Sequence, residues 1–389
     1  MNVVVYVSDA LRTDHLGCYG ARYVNTKTID ELAAGGVRYA HAISAAPWTA
    51  PSTTSIVTGM YAHHHGYLHW DAALDPSFET WFRAFSAHGC DVASFVFDTN
   101  YLFKELPEAN VLGTSATLDG AFEWLRANRD TPFFLYVHNW ATHMPYDIVH
   151  ADRKNWLAAK QEIIEGIQSN SASALESMRE GYRAAVERQS EVLVASFLEE
   201  LESLGLREST VFAFLSDHGE SWGERFHAKD TVKGVYHMHG ATLFDEIVEV
   251  PLILSGPGLE PGVVDSQVRS VDLMPTLLEL AGLPARETDG ESLLHVDGDR
   301  PAMIAGTDMG ALTKLAVRKP PWKLILDVDS GAEEAYRLDV DPREVAARTD
   351  APPELRELVF RELESAERHE LTEEEEATVA KRLSDLGYL

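Results

Sequence analysis

The sequence predicts an α/β protein with a mostly parallel central sheet, helices on both of its faces, and a small α+β subdomain at the C-terminal end. Three observations carry that expectation. Residues 3–7 (Val-Val-Val-Tyr-Val) and 211–215 (Val-Phe-Ala-Phe-Leu) are continuous apolar, β-rich runs, the pattern of strands buried on both faces. Segments of helical composition alternate with strand-like runs, and a βαβα order implies parallel strands joined by crossovers. Past residue 300 several short strand-like pieces follow one another with little helix between them, as in an antiparallel sheet.

The elements can be placed in order. Residues 28–34 read as a short helix, 81–88 as another, 92–97 as a strand, 118–128 as a helix and 133–138 as a strand. Between 158 and 204 the chain is rich in Glu, Ala and Leu and reads as helical, ahead of the strand at 211–215. A strand at 252–255 and a helix from 272 to 281 follow. Residues 1–300 are thus expected to form one large domain. Residues 301–389 form a smaller one, with antiparallel strands at 303–306, 313–318, 322–328 and 335–338. Pro352-Pro353 opens a helical tail, and Thr372-Glu373-Glu374-Glu375 has the form of a capping box leading to Leu383 and Leu386. The acidic run of that tail reads as a solvated helix face, with an interaction surface as the alternative.

Composition bounds the setting. The 389 residues are 45% hydrophobic, enough to bury a large core, and 62 acidic against 33 basic residues give a net charge of −29. Such a field repels nucleic acid and anionic membranes, and it resembles the solvated acidic surface of proteins from salt-rich cytoplasm. The first strand begins at Asn2 and no apolar stretch approaches twenty residues, so a cytoplasmic location is expected. Cys18 and Cys90 are too few for a disulfide framework and are expected to be reduced thiols.

The ends of the apolar runs carry the chemistry. The first run leads into Ser8-Asp9 and the later one into Ser216-Asp217-His218-Gly219-Glu220. In an open parallel sheet the ligand crevice lies at the carboxyl ends of the strands, so Asp9, Asp217 and His218 can converge there. Two carboxylates and one imidazole fit a single divalent cation, without choosing among Mg, Ca, Mn and Zn. Thr49, in Pro47-Trp48-Thr49-Ala50-Pro51-Ser52-Thr53, stands where a short helix opens. Pro is favoured in a first helical turn, whose free N–H groups attract an anion, so a hydroxyl there would meet a phosphate or sulfate. The plainer reading of Thr49 is an ordinary helix N-cap.

Several stretches together resemble the alkaline phosphatase and sulfatase superfamily. They are the opening from Asn2 to Gly20, Thr58-Gly59-Met60-Tyr61 with His65-Gly66, Pro132 to His138 followed by His143-Met144-Pro145-Tyr146, Asp217-His218-Gly219-Glu220, Val250-Pro251-Leu252-Ile253, Asp289-Gly290-Glu291-Ser292-Leu293, and Tyr336 to Glu344. Their order spans nearly the whole chain. The resemblance implies an alkaline-phosphatase-like fold, a metal site at Asp9, Thr49, Asp217 and His218, Thr49 as the nucleophile, and substrate contacts from His143 and His239. His138 reads as a satisfied core residue, and His63, His64 and His65 as a loop cluster that caps and packs.

Departures from the pattern bear on the substrate. Sulfatases carry Cys or Ser before x-Pro-x-Arg, and that residue is oxidised to formylglycine; here the places read Thr49-Ala50-Pro51-Ser52-Thr53, and threonine cannot become that aldehyde. Ala10 stands where a second aspartate is usual, and Thr53 replaces the arginine. A threonine ester must be opened by water attacking the transferred group, a route that phosphorus tolerates better than sulfur. The expectation is therefore a metal-dependent hydrolase of a small anionic ester, phosphorus esters favoured, singly charged ones such as a phosphodiester or phosphonate above all, with Lys229 or Lys233 as further donors. Transfer to an acceptor alcohol, a non-catalytic anion-binding relative and a true sulfatase are the alternatives.

Overall fold

A computed structural model describes residues 1–69, 72–97, 106–146, 172–222, 242–308 and 311–366, with isolated positions 103, 158, 163, 165–166, 231–232, 235–236 and 239–240. The expected capping box at Thr372, together with Lys229 and Lys233, lies outside them.

Eight strands form the main sheet: β1 (Asn2–Ser8), β2 (Val37–Ile43), β3 (Asp91–Val96), β4 (Val111–Thr114), β5 (Phe133–Asn139), β6 (Thr210–Leu215), and, after a two-stranded ribbon of β7 (Thr231–Val232) and β8 (Val235–Tyr236), β9 (Glu249–Ser255) and β10 (Gly262–Arg269). The spatial order is β10-β2-β9-β6-β1-β5-β3-β4. Every pairing is parallel except those of β9, which runs against both β2 and β6. The chain is therefore mostly parallel, as its apolar runs predict.

The helices are α1 (Lys27–Ala34), α2 (Thr49–Thr58), α3 (Ala62–His65), α4 (Trp81–Ala87), α5 (Asp119–Asn128), α6 (Ala172–Arg188), α7 (Ala195–Ser203), α8 (Asp245–Val248), α9 (Leu273–Leu280) and α10 (Pro353–Ser365). A π-helical turn, Gln189–Val194, joins α6 to α7. Because strand side chains alternate between faces, β1 feeds two cores at once. Val4 and Tyr6 pack under α1, α5, α6 and α7, whereas Val3, Val5 and Val7 pack against α2, α4 and α9. That double burial explains a run with no polar residue in it.

A second sheet, with the order β11 (Ala302–Asp308), β12 (Ala311–Lys319), β13 (Trp322–Asp327) and β14 (Glu333–Arg337), is wholly antiparallel. Leu315 and Val317 of β12 face α10 and the Ala45-Ala46 turn that precedes Thr49, while Ala316 turns the other way, toward Phe244 and Tyr336. The Ala305 N–H donates to the Ala45 carbonyl at 2.9 Å, and Trp48 Nε1 donates to Thr307 Oγ1 at 2.8 Å. The small sheet thus braces the approach to α2. Cys18 and Cys90 are free. Among the described residues no helix is long and apolar enough to cross a membrane.

Candidate active site

The carboxyl ends of β1 and β6 lie side by side, since Val7 pairs with Leu215, and the strands deliver Asp9 one residue and Asp217 two residues past their ends. Asp9 and Asp217 are fully buried there with His218. Backbone contacts fix both. Asp217 Oδ1 accepts from the N–H groups of Ala10 at 3.3 Å and His218 at 2.9 Å, and the Asp217 carbonyl accepts from Ser44 and Ser52 hydroxyls at 2.6 and 2.7 Å. Thr142 Oγ1 donates to the Asp9 carbonyl at 2.6 Å. Ala10 takes a left-handed backbone, φ 57°, so the chain turns sharply between Asp9 and Leu11 and brings its N–H onto Asp217. Gly219 lies so close to the turn before β9 that a Cβ would stand 2.1 Å from the Glu246 carbonyl oxygen, which only glycine allows.

Thr49 is the first residue of α2, with Trp48 at the N-cap, and its hydroxyl does not cap the helix. Its Oγ1 lies 3.3 Å from Asp9 Oδ2 and 3.2 Å from His218 Nε2. The structure therefore brings Asp9, Thr49, Asp217 and His218 together across some two hundred residues of chain. His218 Nδ1 lies 2.7 Å from the Gly219 carbonyl. A carbonyl only accepts, so Nδ1 holds the proton and Nε2 turns a lone pair inward.

The donor set fits a cation. Asp9 Oδ1 and Asp217 Oδ2 are buried without a hydrogen-bond partner, an expensive state for a carboxylate oxygen, and each lies 3.5 Å from His218 Nε2. The three ligand atoms fall within 4.8 Å of one another. Burial pushes the Asp9 carboxyl up to about 7, and burial with the neighbouring Asp9 charge raises Asp217. Two acids pushed toward neutrality by burial, Asp217 also by the charge of Asp9, are what a divalent ion would relieve.

Two residues at this centre stand outside the set marked by the sequence. His138, at the end of β5, donates from Nε2 to Asp9 Oδ2 at 3.0 Å while Tyr136 Oη meets its Nδ1 at 3.1 Å; burial lowers its pKa to about 4, so it serves as a neutral donor. Trp140 Nε1 donates to the same oxygen at 2.6 Å, and its ring is stacked between Phe97 at 4.1 Å and His143 at 4.3 Å. Strand register offered the signal: Val7 pairs with His138 and Ser8 with Asn139, so β5 ends beside Asp9.

His143 and His239 line the same hollow. Their ring centroids are 5.1 Å apart, and His239 lies 4.5 Å from His218. Buried Glu220 holds His239 Nδ1 at 2.8 Å, and the Met144 carbonyl lies 2.6 Å from His143 Nδ1. His143, His239 and His218 thus form a chain of rings that ends at the carboxylate pair, and His138 is a further imidazole on Asp9.

A sulfatase profile matches residues 1–283, almost three quarters of the chain, and those residues hold the whole cluster. The chain belongs to the sulfatase family.

Among relatives of this sulfatase-family chain, the uncharacterized sulfatase YidJ of Escherichia coli K12 is 25% identical over 374 residues, with 78% of this chain and 72% of that protein covered. The low-salt glycan biosynthesis sulfotransferase Agl7 of Haloferax volcanii is 29% identical over 301 residues, covering 75% of this chain and 64% of that protein. In fold, the chain superposes on the phosphonate monoester hydrolase of Agrobacterium radiobacter with a TM-score of 0.68 at 19% identity, covering 94% and 95% of the two chains. A putative sulfatase from Bacteroides thetaiotaomicron gives 0.74 at 19% identity, with 96% of each chain covered. The alkaline-phosphatase-like architecture is thereby established, and the family implies an anionic ester as substrate.

Where the family motif carries an arginine, this sulfatase-family chain has Thr53, whose hydroxyl is turned back to the Thr49 carbonyl at 2.6 Å. His65 is buried and shared between Ser55 Oγ at 2.9 Å and the Tyr67 N–H at 3.0 Å, a packing role as expected. With its two neighbours it lies on the short helix α3 and not in a loop.

Proposed function

We propose that this chain is a metal-dependent ester hydrolase in which Thr49 is the nucleophile and Asp9, Thr49, Asp217 and His218 hold one divalent cation. The observation that supports this reading is the placement of Thr49 Oγ1 at 3.3 and 3.2 Å from Asp9 Oδ2 and His218 Nε2, beside two buried carboxylate oxygens that lack partners. A bound cation would supply charge screening for the ester oxygens and ease ionisation of the hydroxyl. Thr49 Oγ1 bonds to the central atom of the ester as the leaving oxygen departs with the bonding electrons, and the Thr49 proton passes by way of Asp9 Oδ2 to that leaving oxygen. His143 and His239 border the space beyond Thr49, where they bind ester oxygens or the leaving group. Water then attacks the central atom of the threonine ester, its bond to Thr49 breaks, and one proton of the attacking water replaces the lost one on Thr49.

Because that second step requires attack at the transferred group, phosphorus esters are favoured over sulfate. With no arginine at position 53, the site also favours a singly charged ester. Turnover of matched aryl phosphate monoester, phosphodiester and sulfate tests both points: a clear preference for sulfate overturns the first, and for the monoester the second. Thr49→Ala that keeps wild-type turnover sinks the nucleophile. Transfer to an acceptor alcohol is the second reading, supported by the relative named as a sulfotransferase; the division of product between water and an added alcohol separates the two. The charge of −29 further supports a salt-rich cytoplasm as the setting, with no nucleic-acid partner.

A further inference from the structure

A second group of metal-binding side chains lies away from Thr49, where α3 meets α10. His63 Nε2 and His64 Nε2 each stand 3.4 Å from the same oxygen, Glu362 Oε2. The rings are 4.2 Å apart at their centroids, and one ligand atom from each of the three residues falls within 4.8 Å of the others. Those 3.4 Å separations are long for N–H···O hydrogen bonds. They match the edge of a tetrahedron, about 3.3 to 3.6 Å, when ligands stand about 2.0 to 2.2 Å from a central zinc.

One of the two imidazoles has a partner behind it, whereas His63 Nδ1 is buried with none. His64 Nδ1 lies 2.8 Å from Asp289 Oδ2, and Asp289 is itself pinned by the Tyr61 N–H at 2.7 Å. An ionised carboxylate only accepts, so Nδ1 keeps its proton; although burial opposes it, Asp289 and Glu362 together raise the His64 pKa to about 9, so a bound ion would take the place of the Nε2 proton. A carboxylate behind an imidazole is the arrangement that orients metal-binding histidines. Ser365 Oγ lies 3.1 Å from His64 Nε2, a hydroxyl within reach as a fourth ligand. His63 is fully buried, so an ion here would be sheltered on the α3 side. With an ion in place of the His64 Nε2 proton, Glu362 and Asp289 would balance its two positive charges.

We propose that His63, His64 and Glu362 form a second divalent-metal site, of the zinc class, that fastens α10 to α3 independently of the Thr49 centre. Two imidazoles with a single carboxylate favour zinc and its neighbours over magnesium or calcium, which prefer all-oxygen sets. An ion here would tie the C-terminal layer to the helix directly after α2.

Metal counting on the purified full chain, after stripping and reloading with Zn²⁺, tests this. Wild type is expected to hold two equivalents and Glu362→Gln one. An Asp217→Asn chain is expected to keep one equivalent, which added His64→Ala or Glu362→Gln weakens by a hundredfold or more. Co²⁺ in the Asp217→Asn chain should give the intense visible bands of a tetrahedral site, lost with Glu362→Gln. Zinc should also slow proteolysis within α10 in wild type but not in Glu362→Gln, a conservative change at a partly exposed position. The proposal is overturned if wild type and Glu362→Gln bind the same number of ions, or if zinc protects α10 equally in both. Neither result depends on the role of Thr49, so this site and the ester chemistry fail separately.

Discussion

Among the described residues two acid pairs, Asp9 with Asp217 fully buried and Asp245 with Glu344 largely so, are neutralised differently. Where the small sheet meets α8, Asp245 receives Arg318 Nη2 at 2.9 Å and Lys323 Nζ at 2.9 Å, and the same ammonium lies 2.8 Å from Glu344. Burial would raise the Asp245 carboxyl, yet Lys323 and Arg318 together hold it well below the usual carboxylate range. Arg318 also lies 3.8 Å from Glu249, so three acids share two bases, and burial still pushes the Glu344 carboxyl up to about 7. At the end of β1 and β6, Asp9 and Asp217 have imidazoles as their ion-pair partners among the described residues, and one oxygen of each has no donor. The first cluster draws its lysine and arginine from the folded chain itself. The second has only those imidazoles among the described residues, and under the proposed function a divalent ion would supply the missing positive charge.

The sharpest way to break that contrast is to change one residue at each centre. Thr49→Ala should lower kcat by roughly 10⁶-fold, the scale seen when a nucleophile is removed. Metal uptake should weaken but persist on Asp9, Asp217 and His218, and unfolding free energy should stay near wild type; a variant that keeps wild-type turnover would remove Thr49 from the chemistry. Lys323→Met should do the reverse. Stranding Asp245 and Glu344 beside a single arginine is expected to cost about 3–5 kcal/mol in denaturant unfolding, with the kinetics of the surviving folded fraction unaltered.

Protons should distinguish the open pair next. Asp9 in the metal-free fold is held at about 7 against 3.8 in an unfolded chain, so the folded state binds the extra proton between those values. Its contribution to stability is present in full below about 3.8 and lost as pH rises through about 7. Unfolding of chelated protein should therefore weaken by up to about 1.4 kcal/mol per pH unit in that window. Saturating cation, or Asp9→Asn, should flatten the slope; an equal slope in chelated Asp9→Asn would place the titration elsewhere. The smallest expected effect belongs to Trp140→Phe. The ring keeps its stack between Phe97 and His143 but loses the N–H on Asp9 Oδ2, which should weaken metal affinity by about 10- to 100-fold in a competition titration.

How much of this was written in the sequence follows from which strands are buried twice. β1 and β6, covered on both faces, read as unbroken apolar runs, so their ends at Asp9 and Asp217 stood out. Pro51 in the first turn of α2 marked Thr49 in the same way. β2, with Arg38 and His41 among its residues, and β10, opened by Gly262 and carrying Asp265, Ser266 and Gln267, lie at and next to an edge of the sheet, tolerate polar residues and gave no such run. β4, at the other edge, is interrupted by Gly113. The reversed direction of β9 depends on pairing between distant strands and has no local signature. His138 and Trp140 were missed as partners of Asp9 because their role arises from the β1–β5 register, a long-range fact. His143 and His239 were named from resemblance, and the shared hollow bears on their position while their roles rest on the experiments above.

The placement of β1 at the middle of the sheet has a consequence for how the protein is made. Its neighbours, β5 and β6, are synthesised far later, and the second flank is not complete until residue 215. At about 5–20 residues per second, the Val-Val-Val-Tyr-Val ribbon waits roughly 10–40 s on the ribosome for its partners. During that interval it is a bare, sticky segment that a holdase would recognise, and slowing translation ahead of β6 should raise the share of chains lost to aggregation.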